Sequence, residues 1–593
     1  MGLVAYRHET ERKVPHLRVR QAQYSDEMKH RLQRVGSPAR WLPHQQAWDY
    51  PMSAAAVIAL DAVAKATGET IEWKDGLRDF AEQHVKQAER EHEVRIAIER
   101  IIRDGTPLDG YVTRVVKDDG EKIPPLRHQQ IAFHWSQRVV GLLLAHDPGC
   151  GKTRSATDAM GGWYRNGLIR KMDAAFLAGK PGVEGGVLVV CPKTMMRTWQ
   201  EEVAQWQNAN GLLIFGSSGR KTQLAGSPAH VHIINYEGLK YVEHNRYDAI
   251  IADEIHRCSN NSLQMQYVLG LSQRARKKLG LSGTPITNSL ESIFYPMLIL
   301  DGGKTLGSSK TAFLEKYFNS VAVAGFTKHD PKADAAEKIA AAMAASTYFV
   351  KKEEVLDLPE KTFTPVYLAM TDEQARYYKQ LREEAITYIQ DETVTIEQAS
   401  AKATKLLQTC QGFVLTDSGE GRHFSDAKTN ALMELLTDTL AERKTVCWTQ
   451  FRYEADRLVA TLKSKGINHV RIDGSVTSQR DRDAAMDAWN TNPDIKVYVR
   501  QLSMSEGVTL HAKDCIVPCY DCVYVALNYR LVDLKQSMDR IHRIGQKYHC
   551  NYTFLLTENG IDRKVYNVLL DKAKLADLVS ATGKDFYLKL LRA

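Results

Sequence analysis

The sequence predicts an α/β protein: two lobes, each built on a parallel sheet, behind a charged N-terminal segment. Three observations predict it. Between residues 120 and 300 short apolar runs, "VVGLLLA", "GGVLVVCP", "HVHIINY" and "YDAIIADE", alternate with polar, helix-like stretches. Buried parallel strands crossed by helices give this pattern. A second set of runs follows, "RKTVCWTQF", "HVRIDG", "IKVYVRQL" and "NYTFLL". Finally, 593 residues are too many for one hydrophobic core. The two lobes join near residue 350.

Taken in order, residues 1–120 are rich in charge. Residues 81–104 carry apolar side chains at roughly helical spacing among many charges, which predicts a surface helix. "DGTPLDG" and "KDDGEKIPP" read as the linker out of this region. Residues 304–348, ending in "DAAEKIAAAMAAS", and residues 372–410 read as helical, the latter with Thr371 as cap and Glu373 and Gln374 after it. The expected domains are an accessory segment over 1–118, a first lobe over 119–350 and a second over 351–593. Within the second lobe, 372–427 form a helical insertion and 561–593 a C-terminal brace.

Composition excludes several classes. Hydrophobic content of 44% and charged content of 25% are those of a soluble globular chain. Nine cysteines, scattered and odd in number, argue against a disulfide framework and for a reduced, intracellular setting. No apolar run reaches the ~18 residues of a membrane span, and "MGLVAYRHETERK" is too charged for a signal peptide. The net charge of +8, from 79 basic and 71 acidic residues, favours a polyanionic partner only weakly.

The chemistry sits in short motifs. Leu142 to Ala156 reads "LLLAHDPGCGKTRSA". A phosphate-binding loop follows G-x-x-x-x-G-K-[ST]. Gly151-Lys152-Thr153 fits its end, but His146 stands at its first glycine. Backbone N–H groups at such a helix start cradle phosphate oxygens; Lys152 would reach the β- and γ-phosphates and Thr153 would bind Mg²⁺. A structural turn with a solvated lysine is the other reading. In "YDAIIADEIHR" a strand ends on Asp253-Glu254. Asp253 would hold the metal, and Glu254 would orient or deprotonate an attacking water. "LGLSGTPITNS" follows a basic helix, and Ser282-Gly283-Thr284 offers hydroxyls to link the nucleotide site to a nucleic-acid path. In "QSMDRIHRIGQ" Arg540 and Arg543 lie three apart on one helical face, suited to stabilising charge on a transferring γ-phosphoryl group.

Together these motifs resemble the Swi/Snf-type ATPases of helicase superfamily two, over residues 123 to 575. "LRHQQIAFHW" resembles the adenine-reading motif, with Gln129 the better match and Gln130 the alternative. "HDPGCGKT" matches the family's own P-loop, which also lacks the first glycine. "VLVVCPKTMMRTWQEEVAQW", "IINYEGL", "DEIH", "LSGTPITNSL", "TVCWTQF", "RIDGSVTSQRDRDAAMDAW", "SEGVTL" and "QSMDRIHRIGQ" follow in family order. "FVKKEEVLDLPEK" and "LLQTCQGF" are further family-like segments. Two departures stand out: "NYRLVDLKQ" occupies the place of the family's "WNP", and Glu506 replaces a common glycine. Ser37 to Leu60 resembles the HARP element of annealing helicases; a small α/β packing module is the alternative. Arg18, Arg20, Arg31, Arg34 and Arg40 lie near Trp41, Trp48 and Tyr50, which are candidates for stacking on exposed bases.

The resemblance implies two RecA-like lobes with helical insertions, an N-terminal accessory domain and a C-terminal brace. It implies ATP and Mg²⁺ between the lobes, with Gln129, Gly149, Gly151, Lys152, Thr153, Asp253 and Glu254 from lobe 1. Gln536, Arg540 and Arg543 would come from lobe 2. Lys193, Thr194, Tyr236, Gln450, Arg452 and Ser505 would line the DNA track. The implied protein is a monomeric, DNA-associated, ATP-driven translocase on double-stranded or branched DNA that remodels DNA structures or displaces proteins. A strand-separating DNA or RNA helicase is the alternative. No nuclease core is evident in 1–120 for a restriction motor, and the intact ATP-site residues speak against an inactive scaffold. Cys515, Cys519, Cys522 and Cys550 read as packing residues rather than zinc ligands.

Overall fold

The structure is a computed structural model that describes residues 3–9, 15–20, 26–36, 39–104, 124–283, 285–286, 289–323, 326–390, 396–416, 419–476, 478–504, 509–512, 515–528 and 530–570. The linker segments, the 118/119 boundary and residues 571–593 of the expected brace lie outside these. The chain divides into two compact units, Met1–Val355 and Leu356–Ala593.

The first unit opens with a small sheet of its own. Its strands are β1 (Leu3–Glu9), β2 (Pro15–Arg20), β3 (Arg40–Leu42), β4 (Ala47–Pro51) and β5 (Ile71–Trp73), in the order β3-β4-β2-β1-β5. Leu3, Ala5, Leu17 and Val19 occupy alternate strand positions and are buried, the period-two pattern of a sheet packed on one side. Together with Leu32, Val57 and Leu60 of the helices Asp26–Leu32 and Ala54–Thr67 they make one apolar core. Ser53 caps the second helix by accepting from Ala56 N at 3.1 Å. The helix Leu77–Asp104 bears out the surface helix expected over 81–104. Trp48 and Tyr50 do not stack on bases: they are 3% and 0% exposed, and the Tyr50 hydroxyl donates to Leu32 O. Both sit on the core face of β4, where burying so much aromatic area outweighs exposure. Trp41 packs on Trp48 with ring centroids 5.4 Å apart.

The larger sheet of this unit is parallel throughout. It consists of β6 (Gly141–His146), β9 (Val187–Cys191), β10 (Gly211–Leu213), β11 (Val231–Asn235), β12 (Ala249–Asp253), β13 (Lys277–Leu281) and β16 (Thr347–Val350), in the order β10-β11-β9-β12-β13-β6-β16. All four apolar runs quoted for lobe 1 are strands of it. Two hairpins decorate it, β7 (Asp173–Leu177) with β8 (Lys180–Glu184) and β14 (Phe318–Val323) with β15 (Phe326–Pro331). The second corrects the helical reading of 304–348: Val321, Val323 and Phe326 favour a pleated ribbon over a helix turn. The basic stretch before "LGLSGTP" is likewise β13, not a helix. Lys277, at its start, is 8% exposed and donates to the carbonyls of Ser136, Gln137 and Val139 at 3.3, 2.9 and 2.7 Å. It thereby caps the C-terminal end of the helix Arg127–Arg138, where unpaired carbonyls attract a cation.

The second unit repeats the plan. Its strands β17 (Lys361–Leu368), β20 (Lys444–Thr449), β21 (His469–Ile472), β22 (Val497–Gln501), β23 (Cys519–Tyr524) and β24 (Cys550–Thr557) form a parallel sheet in the order β17-β24-β23-β20-β22-β21; β18 (Phe413–Leu415) and β19 (Gly421–His423) form a separate hairpin. Lys444 repeats the lysine device: buried at a strand start, it donates to Trp489 O, Asn492 O and Ile495 O at 2.8 to 2.9 Å, closing the end of the helix Gln479–Thr491. The helices Asp372–Gln390 and Ile396–Cys410 match the helical reading of 372–410. Thr371 Oγ1 accepts from Gln374 N, and Gln374 Oε1 accepts from Thr371 N, a reciprocal cap. Cys515, Cys519, Cys522 and Cys550 are buried in the apolar core, and burial pushes the Cys519 and Cys522 thiols well above their usual range.

An ion pair is buried in this unit. Lys428 Nζ lies 2.6 Å from Asp562 Oδ2, at 6% and 0% side-chain exposure, and Thr557 N and Oγ1 also donate to Asp562. Lys428→Met strands a buried carboxylate and is expected to cost about 3–5 kcal/mol, read as an earlier transition in chemical denaturation. The double variant Lys428→Met with Asp562→Asn, whose amide oxygen still accepts from Thr557 N, is expected to recover part of that loss.

Candidate functional site

The carboxyl ends of β6 and β12, which flank β13, carry the chemistry of the first unit, the edge where parallel sheets place ligands. β6 ends on His146, and a turn leads into the helix Lys152–Arg165. Gly149 and Gly151 take φ of 89° and 74°, left-handed values that glycine adopts without strain. The His146 side chain does not enter the loop. It is fully buried, edge-on to the rings of Tyr348 at 5.1 Å and His128 at 5.7 Å, so the missing glycine costs the loop nothing. Burial, and then the charges of Lys152 and His128, keep it neutral far below its ordinary pKa. His128 Nε2 donates to Cys150 O at 2.8 Å and holds the turn from behind. Lys152 Nζ folds across the loop onto His146 O at 2.8 Å and Asp147 O at 3.4 Å. Thr153 is half-buried in the first helical turn. Gln129 Oε1 accepts from Leu126 N, and Gln130 Nε2 donates to Pro125 O, so both glutamines are anchored at the start of the preceding helix.

Asp253, the last residue of β12, is 6% exposed. Its Oδ2 accepts from Trp199 Nε1 at 2.9 Å, its Oδ1 from Glu254 N at 3.0 Å, and its carbonyl from the Tyr236 hydroxyl at 2.7 Å. Burial, and next the Glu254 charge, raise its pKa; Trp199 and the Lys152 ammonium oppose them. The P-loop lysine is therefore within electrostatic reach of the acidic strand end. Glu254 takes a left-handed φ of 51°, which turns the chain sharply after the strand. Its Oε2 lies 3.3 Å from His256 Nδ1, and that nitrogen lies 3.1 Å from Ser282 Oγ. Gly283 packs on the loop itself: a Cβ there would meet Pro148 Cγ at 2.8 Å. Thr284 lies outside the described residues. The single-residue sequence reading missed Trp199, His256 and Pro148. All three fall inside quoted motifs, but only the fold shows which atoms they touch.

In the second unit Gln536 is buried in the helix Leu531–Met538. That helix ends before either arginine, so Arg540 and Arg543 sit in the following turns and not on one helical face. Past the helix Arg540 N pairs with Ser537 O, three residues back, Arg540 O accepts from Leu510 N, and Gly545 adopts a φ of 94°. Arg540 Nε donates to Gln536 O at 3.0 Å and Arg543 Nη1 to Thr509 Oγ1 at 2.5 Å. Gln546, the last residue of "QSMDRIHRIGQ", clamps these turns: Nε2 donates to Cys519 O and Ile541 O, and Oε1 accepts from Lys547 N and Tyr548 N.

The residues expected along a DNA track are more scattered. Lys193 is exposed with its ammonium 5.8 Å from the Phe215 ring, and Thr194 is half-buried beside it. Tyr236 is 2% exposed and serves as a strut under Asp253, with Arg257 over its ring. Gln450 is bound through its carbonyl by Gln501 and through Oε1 by Asn528. Arg452 is exposed, 4.0 Å from Asp456. Ser505 lies outside the described residues.

Residues 59–413 match the model of the SNF2-related domain, and residues 427–545 match that of the helicase conserved C-terminal domain. The chain belongs to the SNF2-related family. Curated relatives include the DNA repair and recombination protein RDH54 of Saccharomyces cerevisiae, 26% identical over 483 residues that cover 74% of this chain and 51% of that one. Chromodomain-helicase-DNA-binding protein 1-like of Mus musculus is 24% identical, covering 69% and 46%. The ISWI chromatin-remodeling complex ATPase ISW1 of Saccharomyces cerevisiae is 25% identical, covering 76% and 39%. This SNF2-related chain thus spans about half the length, or less, of the curated relatives it matches. Among solved structures, the Sulfolobus solfataricus SWI2/SNF2 ATPase core in complex with double-stranded DNA aligns with a TM-score of 0.36 and 19% identity over 81% of this chain and 96% of that one. No helix among the described residues is long and apolar enough to cross a membrane.

Proposed function

We propose that the chain is an ATP-driven translocase on double-stranded DNA that remodels forks and branches or displaces bound proteins. The observation that carries the reading is the placement of Lys152 and the Asp253–Glu254 pair at the carboxyl ends of β6 and β12. There a phosphate loop and a buried carboxylate share one electrostatic neighbourhood. The residues fit a Mg²⁺–nucleotide: the Asp253 carboxylate is buried beside a second carboxylate, a position a divalent cation stabilises, and the Lys152 ammonium rests only on loop carbonyls that a phosphate would replace. When bound, Mg²⁺ neutralises phosphate charge.

Asp253 and Thr153 would hold the metal, Lys152 the outer phosphates, and Gln129 and Gln536 would help seat the nucleotide. Glu254 orients a water and accepts its proton. His256, between Glu254 and Ser282, ties that carboxylate to the turn of Gly283 that packs on the loop. Arg540 and Arg543 would be the groups of the second unit that stabilise charge on the γ-phosphoryl oxygens. Lys193, Thr194, Gln450, Arg452 and Ser505 would hold the phosphate backbone, with Tyr236 supporting Asp253 from within the lobe. Such contacts position the motor without reading sequence. The relatives named for DNA repair, recombination and chromatin remodelling support a role on DNA.

Lys152→Ala tests it. ATP turnover with duplex DNA is expected to fall by about 10²–10³-fold, the cost of removing one aimed cation or donor from a developing charge. Duplex binding, measured by anisotropy, is expected to persist and to weaken steeply with salt. Normal turnover in this variant contradicts the phosphate-loop assignment. Turnover in the unaltered chain that ignores duplex DNA contradicts the translocase reading.

A further inference from the structure

The N-terminal sheet has a polar face that the nucleotide site does not use. Across β1 and β2, Tyr6 stands opposite Arg18, His8 opposite His16 and Val4 opposite Arg20; Arg18 and Arg40 both stand opposite Asp49 of β4. Directly opposed residues share a face. Three arginines, two histidines and Tyr6 therefore line one side of this sheet, while Leu17, Val19 and Trp48 fill the other. The acids on the polar side are Asp49 and, at the β5 edge, Glu72.

This face does not look out on open solvent. The module is pinned to the rest of its unit by Ser308 Oγ on Val35 O at 2.6 Å and by Arg34 with Glu315 at 2.5 Å. Between the sheet and the helix Leu263–Ser272 runs a groove of about 680 Å³. His8, His16, Arg18 and Arg40 form one wall, Gln266 and Tyr267 the other, and Asp49 and Glu243 are its two acids. Asp49 is already committed. His16 Nδ1 sits 2.6 Å from Oδ2 and Arg18 Nε 3.1 Å from Oδ1. Arg18 also donates to Gln45 Oε1 at 2.8 Å, so its guanidinium is held in place with an edge toward the groove. A pre-positioned arginine loses little freedom on gripping an anion.

We propose that this groove holds a single strand of nucleic acid, its phosphates on Arg18 and Arg40 and a base against Tyr267. The volume is that of a small-ligand site, roughly 300–1,000 Å³, enough for a nucleotide or two and too small for a duplex. Planar guanidinium groups beside an aromatic ring suit alternating phosphate and base; an acidic peptide would use the charges and leave the ring idle. The inference rests on the translocase reading: a site for unpaired strand on the ATP-binding unit would let the motor favour forks and branches over plain duplex.

The test uses the full chain without ATP. A fluorescein-labelled deoxythymidylate oligomer of about twelve nucleotides is titrated by anisotropy. The same oligomer carrying 5-iododeoxyuridine is photocrosslinked and the adducts are mapped. In both Arg40→Glu and Tyr267→Leu the Kd is expected to rise by about tenfold, with unaltered thermal midpoints, and adducts are expected within 8–51 or 263–273. Unchanged affinity in both variants, or adducts only elsewhere, overturns the proposal. So does displacement of the label by polyglutamate and not by unlabelled oligomer. Duplex-stimulated ATPase is read in parallel: its absence from the unaltered chain counts against the translocase, whereas the oligomer titration judges the groove by itself.

Discussion

Arg543→Ala is expected to lower ATP turnover by about 10³–10⁵-fold and to change ATP binding little, the range found for arginines that meet a transferring phosphoryl group. The direction follows from where charge develops. A cation that approaches the γ-phosphoryl oxygens only on closure stabilises the transition state more than the bound ground state, so its loss appears in kcat and not in affinity. Arg543 is poised for this by a hydrogen bond to Thr509, and the turns that carry it are clamped by Gln546. Arg540, tied to the Gln536 carbonyl, is the second candidate, and Arg540→Ala is expected to show the same split with its own magnitude. Steady-state turnover and equilibrium binding of a fluorescent ATP analogue check both. Near-normal turnover in both variants removes lobe 2 from the chemistry.

Glu254→Gln lowers the hydrolysis step by about 10²–10⁴-fold, the usual contribution of a positioned general base. The amide keeps the size and the bond geometry but cannot accept the water's proton. ATP and Mg²⁺ binding are expected to persist because Asp253, held by Trp199 and the Glu254 backbone, is untouched. The variant should therefore stay loaded with ATP and dissociate from duplex more slowly than the unaltered chain. Single-turnover hydrolysis with prebound ATP separates the cases: lost affinity with normal chemistry on the residual complex assigns Glu254 to binding.

Much of this site was legible before the fold was known, and the limits are instructive. Gly151-Lys152-Thr153 and Asp253-Glu254 declare themselves because each is a short contiguous motif at the end of an apolar run. The role of His146 was not legible: its side chain could have blocked the loop, and only its burial against Tyr348 and His128 shows that it does not. The helical placement of Arg540 and Arg543 failed because spacing of three is also compatible with successive turns. The helix stops at Met538, and Arg540 O is bound by Leu510 N, a long-range contact. Tyr236 likewise sits in a motif expected on the DNA track, yet its ring is in the core beneath Asp253. The helical reading of 304–348 rests on the alanine-rich stretch that forms the helix Ala335–Met343, and the hairpin before it carries no turn signal beyond one glycine. Trp48 and Tyr50 were assigned to solvent by their arginine neighbours; strand parity in β4 assigns them to the core.

ATP-driven movement along intact duplex is read by displacement of a third strand from a triplex. A labelled oligonucleotide bound in the major groove of a long duplex is released only if a motor travels to it without parting the duplex strands. The account predicts ATP-dependent release by the unaltered chain, a lag that lengthens with the distance between entry site and triplex, and no release by Glu254→Gln. Release of a duplex strand in place of the third strand, or vigorous duplex-stimulated hydrolysis with no third-strand release, would contradict it.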